Sequence, residues 1–433
     1  MVIETYKTKE LRRLESARRT EDGRTTGHYG DDAEAYRRDA REYWKSKEGR
    51  PKYRTFLEIK DKFREPEIFE RFEIEGAEII IAVTDTAFGP AVGGVRWNCY
   101  PTQEEAETDC RNLARGMQYK WLALSKILRE EDRAKLFSGG KAVINDPYIW
   151  QTIRGGEGTV AERVLDLERL RRLFVGFGQI VNQMNGNYFT APDMNTDTSV
   201  MDIIRTQTDF VKCLNGETGD PSPVTAEGVY FGLEALGKKM YSTLDGKKIV
   251  IHGAGKVGSL LAKRIRENNR NSRIVIVEKD RQRGVRLAEE LDCEYSETGE
   301  KIDWSSVDIF SPNATGGIID AEFARRLRPY SVVAGAANNQ INQTEEEHVN
   351  RIFEKNRVLY APDYVINMGG ICNVVFGGAN GKSIEIVKRV GDVLLEIAHD
   401  SEKTGEPTSE IADRMCETHY LSELERLLEP KKA

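Results

Sequence analysis

No apolar run in the sequence approaches the roughly 18 residues of a membrane-spanning helix, which excludes an integral helical membrane protein. Positive charge is not in excess either. Lys and Arg total 64 against 71 Asp and Glu, a formal net charge of −7, whereas a nucleic-acid groove needs a basic footprint. A nucleic-acid partner is therefore not expected. The six cysteines, Cys99, Cys110, Cys213, Cys293, Cys372 and Cys416, form no C-x-x-C pair, which fits free thiols in a reducing compartment. Histidine is scarce, and His28, His252, His348, His399 and His419 have no metal-ligand spacing, so no metal is expected. The opening segment MVIETYKTKELRR carries charge where a signal peptide has its apolar core, and a cytoplasmic location is expected. Internal repeats and low-complexity tracts are lacking.

At 433 residues the chain is long enough for two or three domains. Residues 1–55 mix charges of both signs with glycine-containing breaks and few large aliphatics, a composition suited to an extension or an oligomer-contact arm. AEIIIAVTDT (77–86) reads as a strand, followed by a loop at FGPAVGG. Thr102 and Glu105 form a capping-box pattern opening a helix with apolar positions Ala106, Cys110, Leu113, Ala114 and Met117. The same stripe continues to Lys120, and an ammonium on a buried face needs a partner. A second amphipathic helix has Leu167, Leu170, Phe174, Phe177, Val181 and Met184 on its core stripe. From Thr225 short apolar strands alternate with helices: KKIVIH, RIVIVE, VDIFSP, SVVAGA and VLYAP. That alternation predicts a doubly wound parallel sheet. The final fifty or so residues read as helical, with Ile384, Val387, Val390, Val393, Leu394 and Ile397 at helical spacing.

The segment Gly253-Ala254-Gly255-Lys256-Val257-Gly258 lies between the strand IVIH and a helix. Its glycines permit a tight turn and close approach of a pyrophosphate to a helix N-terminus. Glu278 ends the next strand, 20 residues after Gly258, the offset at which a carboxylate accepts hydrogen bonds from the adenosine ribose. An acid there repels a 2′-phosphate and favours NAD, while the neighbouring Lys279 and Arg281 leave NADP possible. A second constellation joins Lys120, Lys141 in SGGK and Asp193 in APDMNT. Two lysines and an acid beside glycine-rich turns suit either a solvated surface or a reaction centre.

The segments DTAFGPAVGGVRW, LARGMQYK, GGKAV, APDMNT, GDPSPVTAEGVY, GAGKVG, GAANNQ and YAPDYVINMGG follow one another from about residue 75 to 375. In this order they resemble the glutamate/leucine/phenylalanine/valine dehydrogenase family, and leucine dehydrogenase in particular. The resemblance implies reversible NAD-dependent oxidative deamination of an L-amino acid to its 2-oxo acid and ammonia. It implies that Lys120, with the backbone of Gly93 and Gly94, holds the substrate carboxylate, that Lys141 is the catalytic lysine and that Asp193 moves protons at the amino nitrogen. Thr225, Ala336 and Asn338 would belong to the cofactor site and Asn367 to the substrate's polar end. Val92, Ala191, Ile371 and Val374 would line the side-chain pocket. All four are uncharged and non-aromatic, which disfavours glutamate and points to a branched aliphatic substrate, with an aromatic one as the alternative. The implied fold is α/β, in two domains: an N-terminal substrate and oligomerisation domain at 56–222, completed by helices from about 375 to 433, and a Rossmann-like domain at 223–371. A homo-oligomer is expected.

Four features depart from the family pattern. Lys120 and Lys141 are 21 residues apart, with SKILREEDR as the apparent insertion. Ser138 stands where a first glycine is usual, Met194-Asn195 where Val-Gly is usual, and the extension at 1–55 is atypical. These departures keep open a non-catalytic, dinucleotide-binding regulatory or assembly subunit.

Overall fold

The β-branched run Ala77–Val83 forms strand β2, whose side chains from Ile79 to Val83 are wholly buried. The computed structural model describes residues 62–133, 135–147, 160–377 and 381–428. The charged segment 1–55 lies outside them. β2 pairs antiparallel with β1 (Ile68–Ile74) on one side and with β4 (Ser138–Asn145) on the other. β3 (Ala91–Asn98) runs parallel to β4 and to β5 (Tyr188–Pro192), giving the order β1-β2-β4-β3-β5.

β3 and β4 correct the sequence reading, which had a loop at FGPAVGG and a glycine turn at SGGK. The glycines sit inside strands because neighbours come too close for a side chain. A Cβ on Gly93 would stand 1.6 Å from the Gly140 carbonyl oxygen, and one on Gly139 would stand 2.3 Å from the Gln118 nitrogen.

The helix Gln103–Ile127 starts where its cap predicts, with the Glu105 N–H donating to Thr102 Oγ1 at 3.2 Å. Its Ala106, Cys110 and Ala114 pack on Ile80, Ala82 and Val143. SKILREEDR supplies the end of this helix and the single turn Glu130–Arg133. On the helix Val160–Gln183, Phe174, Phe177 and Val181 are buried, as is Met184 just beyond it, but Leu167 is 57% exposed. The helix meets the sheet through its C-terminal half, where Trp97 packs edge-on against Phe174 and Ile74 fills the space beside Gly176, so the expected stripe stops short of Leu167.

The second sheet is wholly parallel: β6 (Lys248–His252), β7 (Arg273–Val277), β8 (Glu294–Ser296), β9 (Ile309–Pro312), β10 (Val332–Val333) and β11 (Leu359–Tyr360). Its order, β11-β10-β9-β6-β7-β8, is that of a dinucleotide-binding doubly wound sheet. Trp304, Phe310, Phe353 and Tyr360 fill one core cluster on it. At about 1.5–3 kcal/mol for each large apolar side chain removed from water, such clusters supply the main drive for folding.

The chain divides into two units. One comprises residues up to Trp121, Glu130–Asp220 and everything from Glu417; the other comprises Leu122–Arg129 and Pro221–Cys416. The helices Gly381–Val387 and Val390–Thr404 therefore group with the dinucleotide-type sheet, where the sequence reading carried them to the first domain. Small residues decide this. Gly391 lets its helix close on Phe231 and Ala235 of the helix Ser222–Tyr241, and Gly232 of that helix receives Leu394. From Glu417 the last helix, Thr408–Leu428, belongs to the first unit, with Tyr119 donating to Glu417 Oε1 at 2.7 Å. Among the described residues no helix is long and apolar enough to cross a membrane.

Candidate active site

Residues paired across parallel strands point to the same face, and the face alternates along each strand. Val92 pairs with Gly139 and with Phe189, Arg96 with Val143, and Gly94 with Ala191. Val92, Gly94, Arg96, Lys141 and Ala191 therefore share one face of the first sheet. It is the face covered by the helix Gln103–Ile127, since Val143 packs on that helix. Asp193 follows two residues after Ala191. The Lys141 ammonium lies 3.0 Å from Asp193 Oδ2, and Arg96 Nε donates to the same oxygen at 2.9 Å. Gly94 makes room for Asp193, whose Cβ would be 2.7 Å from a Cβ there. The Asp193 N–H donates to Thr196 Oγ1, and the Thr196 hydroxyl donates to the Val95 carbonyl at 2.8 Å.

Lys120 is 8% exposed, on the same helix as Gln118, whose Oε1 accepts the Gly139 N–H at 2.7 Å. Tyr188 donates to the Gly93 carbonyl at 2.7 Å. Val92 and Ala191 are buried; the Trp121 indole donates to the Val92 carbonyl, and Phe137 packs on Trp121.

In the second unit, Gly253 takes φ +103° and its N–H donates to the Val277 carbonyl at 2.7 Å. A Cβ on Gly258 would stand 2.0 Å from the Gly253 oxygen, whereas the space beside Gly255 is open. The turn is thus closed where it packs and free of side chain at the N-terminus of the helix Lys256–Asn268, an end of the kind that can receive a pyrophosphate. Ala254 is buried, and Lys256 and Val257 open that helix. Glu278 accepts the Ala254 N–H at 2.8 Å and the Asp280 N–H at 2.9 Å, while Lys279 is exposed. These residues fit a dinucleotide.

Elsewhere in this unit, Asn367 Nδ2 donates to the Ala336 carbonyl at 3.0 Å and to Asn338 Oδ1 at 2.8 Å. Asn367 Oδ1 is buried with no hydrogen-bond partner among the described residues. Gly369 and Gly370 bring the helix Gly369–Phe376 against Thr225. That helix carries Ile371, buried, and Val374, half-buried. Val92 and Ala191 belong to the first unit and Ile371 and Val374 to the second. Among the described residues no three His, Cys, Asp or Glu side chains gather as metal ligands.

The shikimate/quinate 5-dehydrogenase family matches residues 235–332. Leucine dehydrogenase of Thermoactinomyces intermedius is 34% identical over 79% of this chain and 87% of its own length. Leucine dehydrogenase of Bacillus subtilis is 33% identical over 81% and 89%. The crystal structure of L-tryptophan dehydrogenase from Nostoc punctiforme superposes with TM-score 0.62 at 28% identity, over 86% of this chain and all of that one. The chain belongs to the glutamate/leucine/phenylalanine/valine dehydrogenase family. It is an NAD-dependent amino-acid dehydrogenase.

In this dehydrogenase the charges of the first unit are tuned against one another. Burial pushes the Lys141 ammonium below its ordinary pKa, helped by the nearby Arg96 and opposed by Asp193. Burial works to raise the Asp193 carboxyl, but Lys141 and Arg96 outweigh it and hold the group well below the usual carboxylate range. Arg96, within GGVRW, has no role that is evident from the sequence. Nor are Asp109, which accepts from Arg96 Nη1 at 2.9 Å, and Tyr100, which donates to the same Asp109 oxygen, evident from the sequence. The available signal was strand alternation from Gly94 to Arg96, hidden once the glycines were read as a loop. Asn313 was missed too; its Oδ1 accepts the Ala336 N–H at 3.0 Å and fixes the turn after β10.

Proposed function

We propose that the protein oxidises a branched aliphatic L-amino acid of the leucine type to its 2-oxo acid, releasing ammonia. The observation that carries this reading is the pairing of buried Lys141 with Asp193, a base and a proton carrier 3.0 Å apart. The bound dinucleotide supplies the acceptor for the hydride that leaves the substrate Cα. Lys141, its basicity lowered by burial, takes a proton from the water that attacks the resulting iminium carbon. Asp193 carries protons to and from the substrate nitrogen until ammonia departs. Lys120 pairs with the α-carboxylate beside the backbone of Gly93 and Gly94. The partnerless Asn367 Oδ1 supports a role as acceptor toward the substrate's ammonium group.

Val92 and Ala191 offer no cation to a second carboxylate, and a desolvated unpaired carboxylate costs several kcal/mol. Glutamate is therefore disfavoured. Each buried methylene of an aliphatic side chain contributes roughly 0.8 kcal/mol. The likeness to a tryptophan dehydrogenase favours, as the second reading, an aromatic side chain. Initial rates of NADH formation with leucine, valine, isoleucine, phenylalanine, tryptophan and glutamate decide between them. A specificity constant for phenylalanine or tryptophan about tenfold above that for leucine, roughly 1.4 kcal/mol, overturns the aliphatic assignment.

The same proposal includes a cytoplasmic homo-oligomer. All six cysteines are free, in keeping with a reducing compartment. β1 has no further strand beyond it among the described residues, an edge able to pair with a second copy. Light scattering on the purified protein tests the assembly, and a monomer mass removes it.

A further inference from the structure

Both cations at Asp193 bind one of its two oxygens. Lys141 Nζ and Arg96 Nε lie 3.0 and 2.9 Å from Oδ2, and Oδ1 has no partner among the described residues. Arg96 is itself held from behind, its Nη1 donating to Asp109 Oδ2, which also accepts the Tyr100 hydroxyl. Asp109 stands on the helix Gln103–Ile127, Arg96 on β3 and Lys141 on β4, so β3 and β4 meet at this carboxylate and Arg96 links it to the helix.

We propose that Arg96, anchored by Asp109, is a positioning residue that fixes the rotation of the Asp193 carboxylate, ties down Oδ2 and leaves Oδ1 as the oxygen that exchanges protons with the substrate. The inference rests on the role given to Asp193 above. A guanidinium suits the task because its planar fork spans two acceptors at fixed angles, which one ammonium cannot do. Its charge acts in the same direction on both partners. It stabilises the Asp193 carboxylate, and as a like charge it disfavours protonated Lys141, so both groups titrate lower than they would without it. The other ionisable groups around them are Asp109 and Cys110 on the covering helix, Tyr100 after β3 and Tyr188 on β5. Burial keeps Cys110, Tyr100 and Tyr188 protonated, Asp109 pairs with Arg96, Lys120 stands on the same helix as Asp109, and Arg96 is the cation that joins Lys141 in direct contact with Asp193.

The test compares Arg96→Gln, Arg96→Lys and Asp109→Asn with wild type in pH profiles of kcat and kcat/KM for the best amino-acid substrate. In Arg96→Gln the acid limb of kcat/KM moves alkaline by about one pH unit or more, and kcat falls at least about tenfold. Arg96→Lys keeps the charge and loses the fork, so kcat falls while the limb moves little. Asp109→Asn lowers kcat with KM nearly unchanged. NADH affinity, read by fluorescence, stays within about twofold in all three, as the cofactor residues lie in the other unit. An Arg96→Gln limb that superimposes on wild type overturns the proposal. Should Arg96→Gln not fold, unchanged kcat in both other variants overturns it. If wild type oxidises no amino acid, the functional reading fails separately. The charge arrangement is then read from the pH midpoint of Lys141 acylation by acetic anhydride, followed by mass spectrometry. That midpoint moves alkaline in Arg96→Gln and, where Arg96→Gln does not fold, acidic in Asp109→Asn, which removes an anion from the cluster; no movement refutes the proposal.

Discussion

Lys141 and Asp193 form an ion pair at 3.0 Å although β3 lies between the strands β4 and β5 that lead to them. Two glycines of β3 allow it: a Cβ on Gly94 would stand 2.7 Å from the Asp193 Cβ, and one on Gly93, on the other face, would strike the Gly140 carbonyl and keep β4 from closing on β3. Lys141→Ala is expected to lower kcat by about a thousandfold or more, the upper range for loss of a general base, with NAD affinity unchanged by fluorescence titration. Retention of most of the wild-type rate would remove Lys141 from the mechanism.

Lys120→Ala tests the proposed pairing of Lys120 with the substrate carboxylate. The expected result is a rise in KM of about 10- to 100-fold, as for loss of one charged hydrogen bond, with a smaller change in kcat. A variant with wild-type KM would assign Lys120 to packing alone.

Glu278 already holds the Ala254 and Asp280 N–H groups, so its carboxylate is oriented before any ribose arrives. Glu278→Ser is expected to raise the efficiency with NADP relative to NAD by about tenfold, roughly 1.4 kcal/mol, through loss of repulsion and of the ribose acceptor. Arg283, 3.7 Å from Glu278, then becomes available to a 2′-phosphate. Wild-type preference for NADP would show that Lys279, Arg281 and Arg283 dominate.

Gly258→Ala sets a methyl group 2.0 Å from the Gly253 oxygen. Overpacking of this kind costs about 1–3 kcal/mol. The variant should unfold at lower urea concentration and bind NADH more weakly, whereas Gly255→Ala, in open space, should weaken binding with little loss of stability. Equal stability of Gly258→Ala and wild type would contradict the observed turn.

A buried cluster apart from the active-site residues gives a pH dependence of stability. Burial first and Asp85 second push the Glu67 carboxyl up to about 7 from its usual 4.5, against the lowering effects of Lys62 and of the Thr86 hydrogen bonds. Lys62 also pairs with Asp85 at 3.1 Å and donates to Tyr420. An acid with a raised folded-state pKa binds more protons folded than unfolded, so its contribution is complete below about pH 4.5 and is lost as pH rises through 7. Tm should therefore fall for wild type relative to Glu67→Gln between pH 5 and 8. Parallel curves would refute the shift.

The second sheet was legible in the sequence because its strands are continuous apolar runs punctuated by helices, and Gly253 to Gly258 sits where such a run meets a helix. The first sheet was mostly illegible. β2 announced itself by Ile79, Ile80 and Ile81, but β3 and β4 carry Gly93, Gly94, Gly139 and Gly140 at their closest crossings, and glycine there has the same appearance as in a turn. Lys120 was readable from the helical stripe. Arg96 and Asp109 were not, because what makes them important is a meeting across 13 residues of sequence on two different elements.

The crossing of Gly391 over Phe231 and Ala235, with Leu394 seated at Gly232, also bears on where the chain can be cut. Exchange of the cofactor-binding unit with that of a relative must carry the sequence through Cys416. A graft ending near Ile371 would leave one side of the Ser222–Tyr241 helix facing solvent with its glycine notches empty.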